Sequence, residues 1–126
     1  MNEIFQGEIL SLYSQIGLFD KENKNSYPEW ITGEENAIIA SRGVAVATKG
    51  DSKIKVIVST DIAQKEKHLL ITGTIKIGRK GFIVGNIPAA DLYHVDFPAG
   101  KVYISVYANG IRNAATKIIF ILTPSS

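Results

Sequence analysis

The stretch Lys101-Val102-Tyr103-Ile104-Ser105-Val106-Tyr107 decides the fold class. Val102, Ile104 and Val106 fall on one side of an extended chain, and Tyr103, Ser105 and Tyr107 on the other. That period of two belongs to a strand with one buried face. A helix would need apolar positions three and four apart, which this stretch lacks.

The same alternation recurs on either side. Leu69, Ile71, Gly73, Ile75 and Ile77 share one side of His68–Ile77, with Leu70, Thr72, Thr74 and Lys76 opposite. Gly78-Arg79-Lys80-Gly81 then turns the chain into Phe82–Ile87. Earlier, Gly43–Thr48 and Lys53–Thr60 flank Lys49-Gly50-Asp51-Ser52, which reads as a hairpin with its lysine side in water. Leu92–Phe97 gives a short strand before Pro98-Ala99-Gly100, and Thr116–Thr123 gives the last, ended by Pro124. Upstream, Glu8–Tyr13 and Ile16–Asp20 read as strands, and Lys21–Pro28 as a loop. In Trp30–Ala40, Thr32 and Glu35 have the spacing of a helix N-cap, so a short helix or irregular structure is expected there.

About eight strands, at most one short helix and no helical crossover predict an all-β fold. The expected architecture is a two-sheet antiparallel β-sandwich spanning residues 1–126 as one domain. Jelly-roll and immunoglobulin-like strand orders both fit. The 126 residues suffice for a core of ordinary size, and 45% hydrophobic with 21% charged residues is the balance of a globular protein. With no cysteine, disulfides and thiolate metal sites are excluded. The opening residues carry Glu3 and Glu8 but no Lys or Arg before Lys21, unlike a signal peptide. No apolar run approaches the ~18 residues of a membrane span. A cytoplasmic protein with no membrane contact is therefore expected.

Charge is unevenly spread. Residues 1–36 have seven carboxylates against two lysines, and residues 37–126 have five against twelve Lys or Arg, giving +2 overall. Such asymmetry bears on association.

Catalytic signatures are missing: no nucleophile elbow, phosphate loop, dinucleotide fingerprint or His-Glu-x-x-His motif occurs. His94 and Asp96 share a strand face, but one imidazole and one carboxylate do not complete a metal site. No enzyme, cofactor or metal is expected. Trp30, the single tryptophan, stands between Glu29 and Glu34-Glu35, either as a core residue or as an interface anchor flanked by acids. The basic pairs Lys53/Lys55, Lys65/Lys67 and Arg79/Lys80, with Tyr103 and Tyr107, raise nucleic-acid binding. An excess of only +2 argues against direct nucleic-acid contact.

Several features, in order, resemble the competence protein J (ComJ) family, inhibitors of a DNA-uptake nuclease. They are Ile9–Gln15 with Leu18-Phe19, Trp30-Ile31-Thr32 before Glu34-Glu35, the small-residue run Ala40–Ala47, and Gly81-Phe82-Ile83-Val84. The clearest is Val95-Asp96-Phe97-Pro98-Ala99-Gly100-Lys101-Val102-Tyr103, similar to that family's apolar-Asp-apolar-Pro-x-Gly-x-Tyr hairpin. The resemblance implies a small cytoplasmic protein that binds and silences a nuclease, and the logic of an immunity protein facing a toxin is the same. A protein that covers a DNA-binding cleft should present carboxylates where phosphates would lie. Asp20, Glu22, Glu29, Trp30, Glu34 and Glu35 are accordingly the expected partner-binding residues. A carbohydrate- or small-ligand-binding jelly roll is the alternative, and edge strands rich in β-branched residues leave room for a homodimer.

Overall fold

Ten strands are found among the described residues. A computed structural model describes residues 3–11, 14–23, 35–61, 66–86 and 92–125. The strands are β1 (Glu3–Ser11), β2 (Gln15–Asp20), β3 (Ala37–Ala40), β4 (Gly43–Ala47), β5 (Ser52–Ser59), β6 (His68–Ile77), β7 (Phe82–Asn86), β8 (Leu92–Val95), β9 (Gly100–Ala108) and β10 (Lys117–Ser125). Short 3-10 turns occupy Lys21–Asn23 and Arg112–Ala114.

The strands form two five-stranded sheets, sheet A in the order β1-β5-β10-β9-β6 and sheet B in the order β3-β4-β2-β7-β8. The expected all-β sandwich is the observed fold. Pairing is antiparallel except between β5 and β10, which run parallel with Val56 opposite Ile118. The two are joined by a long excursion through four other strands, which supplies the wide crossover a parallel pair needs without any helix.

Alternation explains the core. Ile54, Val56 and Val58 of β5, Val102, Ile104 and Val106 of β9, and Ile118, Phe120 and Leu122 of β10 face inward. They meet Ile16 and Leu18 of β2, Val44 and Val46 of β4, and Phe82 and Val84 of β7. The flanks close as well. On one, Phe5 of β1 stacks against Tyr93 of β8, with ring centres 5.3 Å apart. On the other, β3 packs on β6: a Cβ on Gly73 would lie 2.7 Å from Ile39 Cδ1, so a larger residue there would force that methyl to shift. The Lys76 amide of β6 donates to the Ser41 carbonyl at 2.8 Å, across the sheets.

Four sequence expectations need correction. Residues 43–60 are not a hairpin, because β4 belongs to sheet B and β5 to sheet A. The Lys49–Asp51 turn is a corner between sheets, stitched to the neighbouring β1–β2 corner by Asp51 N–H to Ser11 O at 2.8 Å and Thr48 N–H to Ser14 O at 2.9 Å. Gly78–Gly81 is a second such corner, between β6 and β7. Residues Ala37–Ala40 are a strand and not part of a helix, while Thr32 lies outside the described residues. Finally, Pro124 lies within β10, opposite Val102.

One bulge changes a strand's phase. Between Leu69 and Ile71 the β6–β9 register slips by a residue, so Leu70 and Ile71 both reach the core. Leu69 is thrown onto the outer face at 54% exposure. There it stands opposite Tyr107.

Sheet A also carries a small apolar cluster on its outer face, Ile57, Ile119 and Ile121 with Tyr107 against them. β5 and β6 run the same way in this sheet, and the described residues of the connection between them stop at Asp61 and resume at Glu66. Its described end is tied down by an ion pair from Glu66 to Lys117, 2.7 Å long.

Candidate functional site

Charged groups converge where β2 ends. Ile16, Leu18 and Asp20 share the inward phase of β2, so the carboxylate of Asp20 enters the sandwich and is fully buried. A buried carboxylate needs compensation. Asp20 receives it from Arg42 in the β3–β4 turn, whose Nη1 is 2.5 Å from Oδ2. The Glu22 amide donates to Oδ1 at 3.1 Å, and the Gly78 amide, from the β6–β7 corner, at 3.3 Å. Backbone bonds reinforce the junction: the Asp20 amide donates to Arg42 O at 2.9 Å, and the Lys21 amide to Gly81 O at 3.0 Å. Asp20 therefore fastens one corner and one turn to the end of β2.

Around this knot lies an exposed charged rim. The Glu22 carboxylate lies against Gly78, close enough that a Cβ there would meet its Cδ at 2.8 Å. Lys21 Nζ is 3.4 Å from His94 Nδ1, and His94 Nε2 is 3.2 Å from Asp96 Oδ1. The Gly81 turn is fitted to this rim, with φ of +84° and the Val95 carbonyl 2.6 Å from where a Cβ would stand. Only glycine serves there.

Of the residues expected to contact a partner, the structure brings Asp20 and Glu22 together. Asp20, however, is internal and cannot itself meet a partner's surface; it acts by orienting Glu22 and Arg42. Glu22 is exposed and Glu35 is half-buried just before β3. Glu29, Trp30 and Glu34 lie outside the described residues. Lys21, Arg42, His94 and Asp96 join Glu22 in the rim, and sequence reasoning did not place them together. His94, in β8, and Asp96, just past its end, were legible as a pair; the approach of Arg42 and Lys21 was not.

Among the described residues, no group of three or more His, Cys, Asp or Glu could hold a metal ion. Nor, among the described residues, is any helix long and apolar enough to cross a membrane.

No family model matches the chain, and no curated protein matches it. Solved structures do. The crystal structure of ComJ from Bacillus subtilis, an inhibitor of the DNA-degrading activity of NucA, superposes with a TM-score of 0.73. The match covers 98% of this chain and 97% of that one at 14% identity. The fold is ComJ-like. A second match is the product of Crocagin biosynthetic gene J, with a TM-score of 0.59, 15% identity and both chains covered in full. At such identities the likeness to ComJ concerns the fold alone.

Proposed function

We propose that this protein is a nuclease inhibitor of the ComJ kind, acting in the cytoplasm by forming a complex with a partner nuclease. The observation that carries the reading is the end-to-end likeness to ComJ, 98% of one chain against 97% of the other. The order of motifs quoted above points the same way.

The partner surface we assign is the acid-rich first third: Glu22, Glu29, Trp30, Glu34 and Glu35. Asp20 supports it from inside. Carboxylates here would occupy the places of DNA phosphates in the nuclease's cleft, with Trp30 as the apolar anchor. The same logic serves an immunity protein facing a toxin nuclease.

The test is a titration of purified protein into a DNA-degrading nuclease, NucA first, with plasmid cleavage as readout. Cleavage should stop at about one equivalent of enzyme, and a large excess of DNA should compete with the protein for the cleft and raise the amount needed. Undiminished cleavage across a panel of such nucleases removes the reading.

A further inference from the structure

We propose that the outer face of sheet A, where β6 meets β9, binds single-stranded nucleic acid through Lys76, Lys101 and Tyr103, assisted by Arg79 and Lys80. This inference does not rest on the nuclease reading.

Lys76 and Lys101 stand directly opposite each other in the β6–β9 register, and both are exposed. Their strand neighbours Ile75, Ile77 and Val102 point into the core, so both ammonium groups lie on the outer face. Like charges in facing positions of a sheet are unfavourable. The described residues offer them no relief: the carboxylates in ion pairs engage Arg42, His94 and Lys117. β6 runs directly into the Gly78–Gly81 corner, which adds Arg79 and Lys80, both exposed. The carboxylates of Glu22 and Asp20 both reach Gly78, at the start of that corner.

An aromatic ring completes the surface. One rung inward, about 7 Å along the strand, Tyr103 is 43% exposed, with Thr74 opposite on β6 and Thr123 opposite on β10. Cations at one end, a ring beside them and hydroxyls on both sides suit a phosphate held by lysine and its base stacked on tyrosine. An acidic protein segment would use the cations but not the ring. A duplex hides its bases from a flat sheet, so the single strand is the fitting form. The +2 overall charge had argued against nucleic acid. Folding places cations from distant parts of the chain on one patch, which total charge does not record.

The test is fluorescence anisotropy with a labelled oligothymidylate and the matching duplex, from 50 to 200 mM salt. We expect saturable binding to the single strand, with a log–log salt slope of about −2 to −3 for three or four phosphates. The Lys76→Gln/Lys101→Gln variant should weaken binding and reduce that slope by about 1.4. Tyr103→Ala should weaken binding about tenfold with the slope unchanged, and Tyr103→Phe should restore it. Lys53→Gln/Lys55→Gln, on β5, should leave it intact. Absence of saturable binding at 50 mM salt overturns the proposal, as does equal loss in the Lys53/Lys55 variant. So does polyglutamate binding as tightly as the oligonucleotide with Tyr103→Ala indifferent, which would mark an acidic-protein surface instead.

Discussion

Arg42 Nη1 lies 2.5 Å from Asp20 Oδ2, bringing a cation to a fully buried carboxylate. The pair joins the end of β2 to the β3–β4 turn, and through the Gly78 amide it reaches the corner between the sheets. Arg42→Met would take this cation away from the buried Asp20 carboxylate. Removing one partner of a fully buried pair costs about 3–5 kcal/mol. The Arg42 side chain is 32% exposed, so water can partly replace it and about 1–3 kcal/mol is expected. Asp20→Asn in the Arg42→Met background should recover part of that loss, because it removes the stranded charge. Urea unfolding of the four variants measures the coupling; additive effects would show that the two residues do not act as a pair.

The approach of β3 to β6 gives a second expectation. Gly73→Ala places a methyl 2.7 Å from Ile39 Cδ1, too close without a shift. Overpacking of this size costs about 1–3 kcal/mol. Ile39→Val removes the offending carbon and alone costs about 0.5–1.5 kcal/mol. The double variant should be clearly more stable than the sum of the two losses allows. Strict additivity in thermal or urea melts would place the strain elsewhere.

These contacts show where sequence reading succeeds and where it stops. Alternation in β5, β9 and the second half of β6 named the inward residues correctly, because a side-chain period of two needs only local geometry. Turn residues were also located correctly at Lys49–Asp51 and Gly78–Gly81. What they connect was not legible: a Gly-Asp or Gly-Arg-Lys-Gly turn has the same composition whether its strands pair or part into different sheets. That choice is made by distant partners, β1 and β10 for β5, and β2 for β4. Leu69 was misplaced for a similar reason, since a bulge leaves no mark in composition.

The candidate site divides the same way. The phase Ile16, Leu18, Asp20 already placed Asp20 on the core side, a signal outweighed by its neighbourhood of acids. Its cation could not have been found, because Arg42 is far away in sequence and sits in an unremarkable turn. For Glu29, Trp30 and Glu34 the fold adds nothing, and their role rests on the sequence.

Acid should act on the ion pair between Glu66 and Lys117. Lys117, hydrogen-bonded to Glu66 and reinforced by its charge, holds that carboxyl below the usual glutamate range. The unfolded chain releases this constraint, so the folded form binds the proton less readily. The stabilisation is therefore fully present above the ordinary glutamate value and is lost as pH falls through the lowered one. Comparing native protein with Glu66→Gln by urea unfolding between pH 7 and pH 3 isolates the effect. The two curves should differ modestly at neutral pH and converge in acid; a gap that persists at pH 3 would mean the contribution is not ionic.

The contact surface itself can be decided by exchange of charge. If Glu22 and Glu35 meet a basic cleft, Glu22→Lys/Glu35→Lys should slow association and make inhibition more sensitive to salt, since rim charges act chiefly on encounter. Trp30→Ala should cost more, about 30-fold or greater in affinity if the ring is a desolvated anchor. Asp20→Asn should weaken inhibition less than Glu22→Lys, because it loosens the support of Glu22 and touches no partner. The decisive comparison adds Lys76→Gln/Lys101→Gln. If inhibition survives the acidic and tryptophan variants but falls with the lysine pair, the nuclease is held by sheet A. The carboxylates of the first third would then serve only the fold.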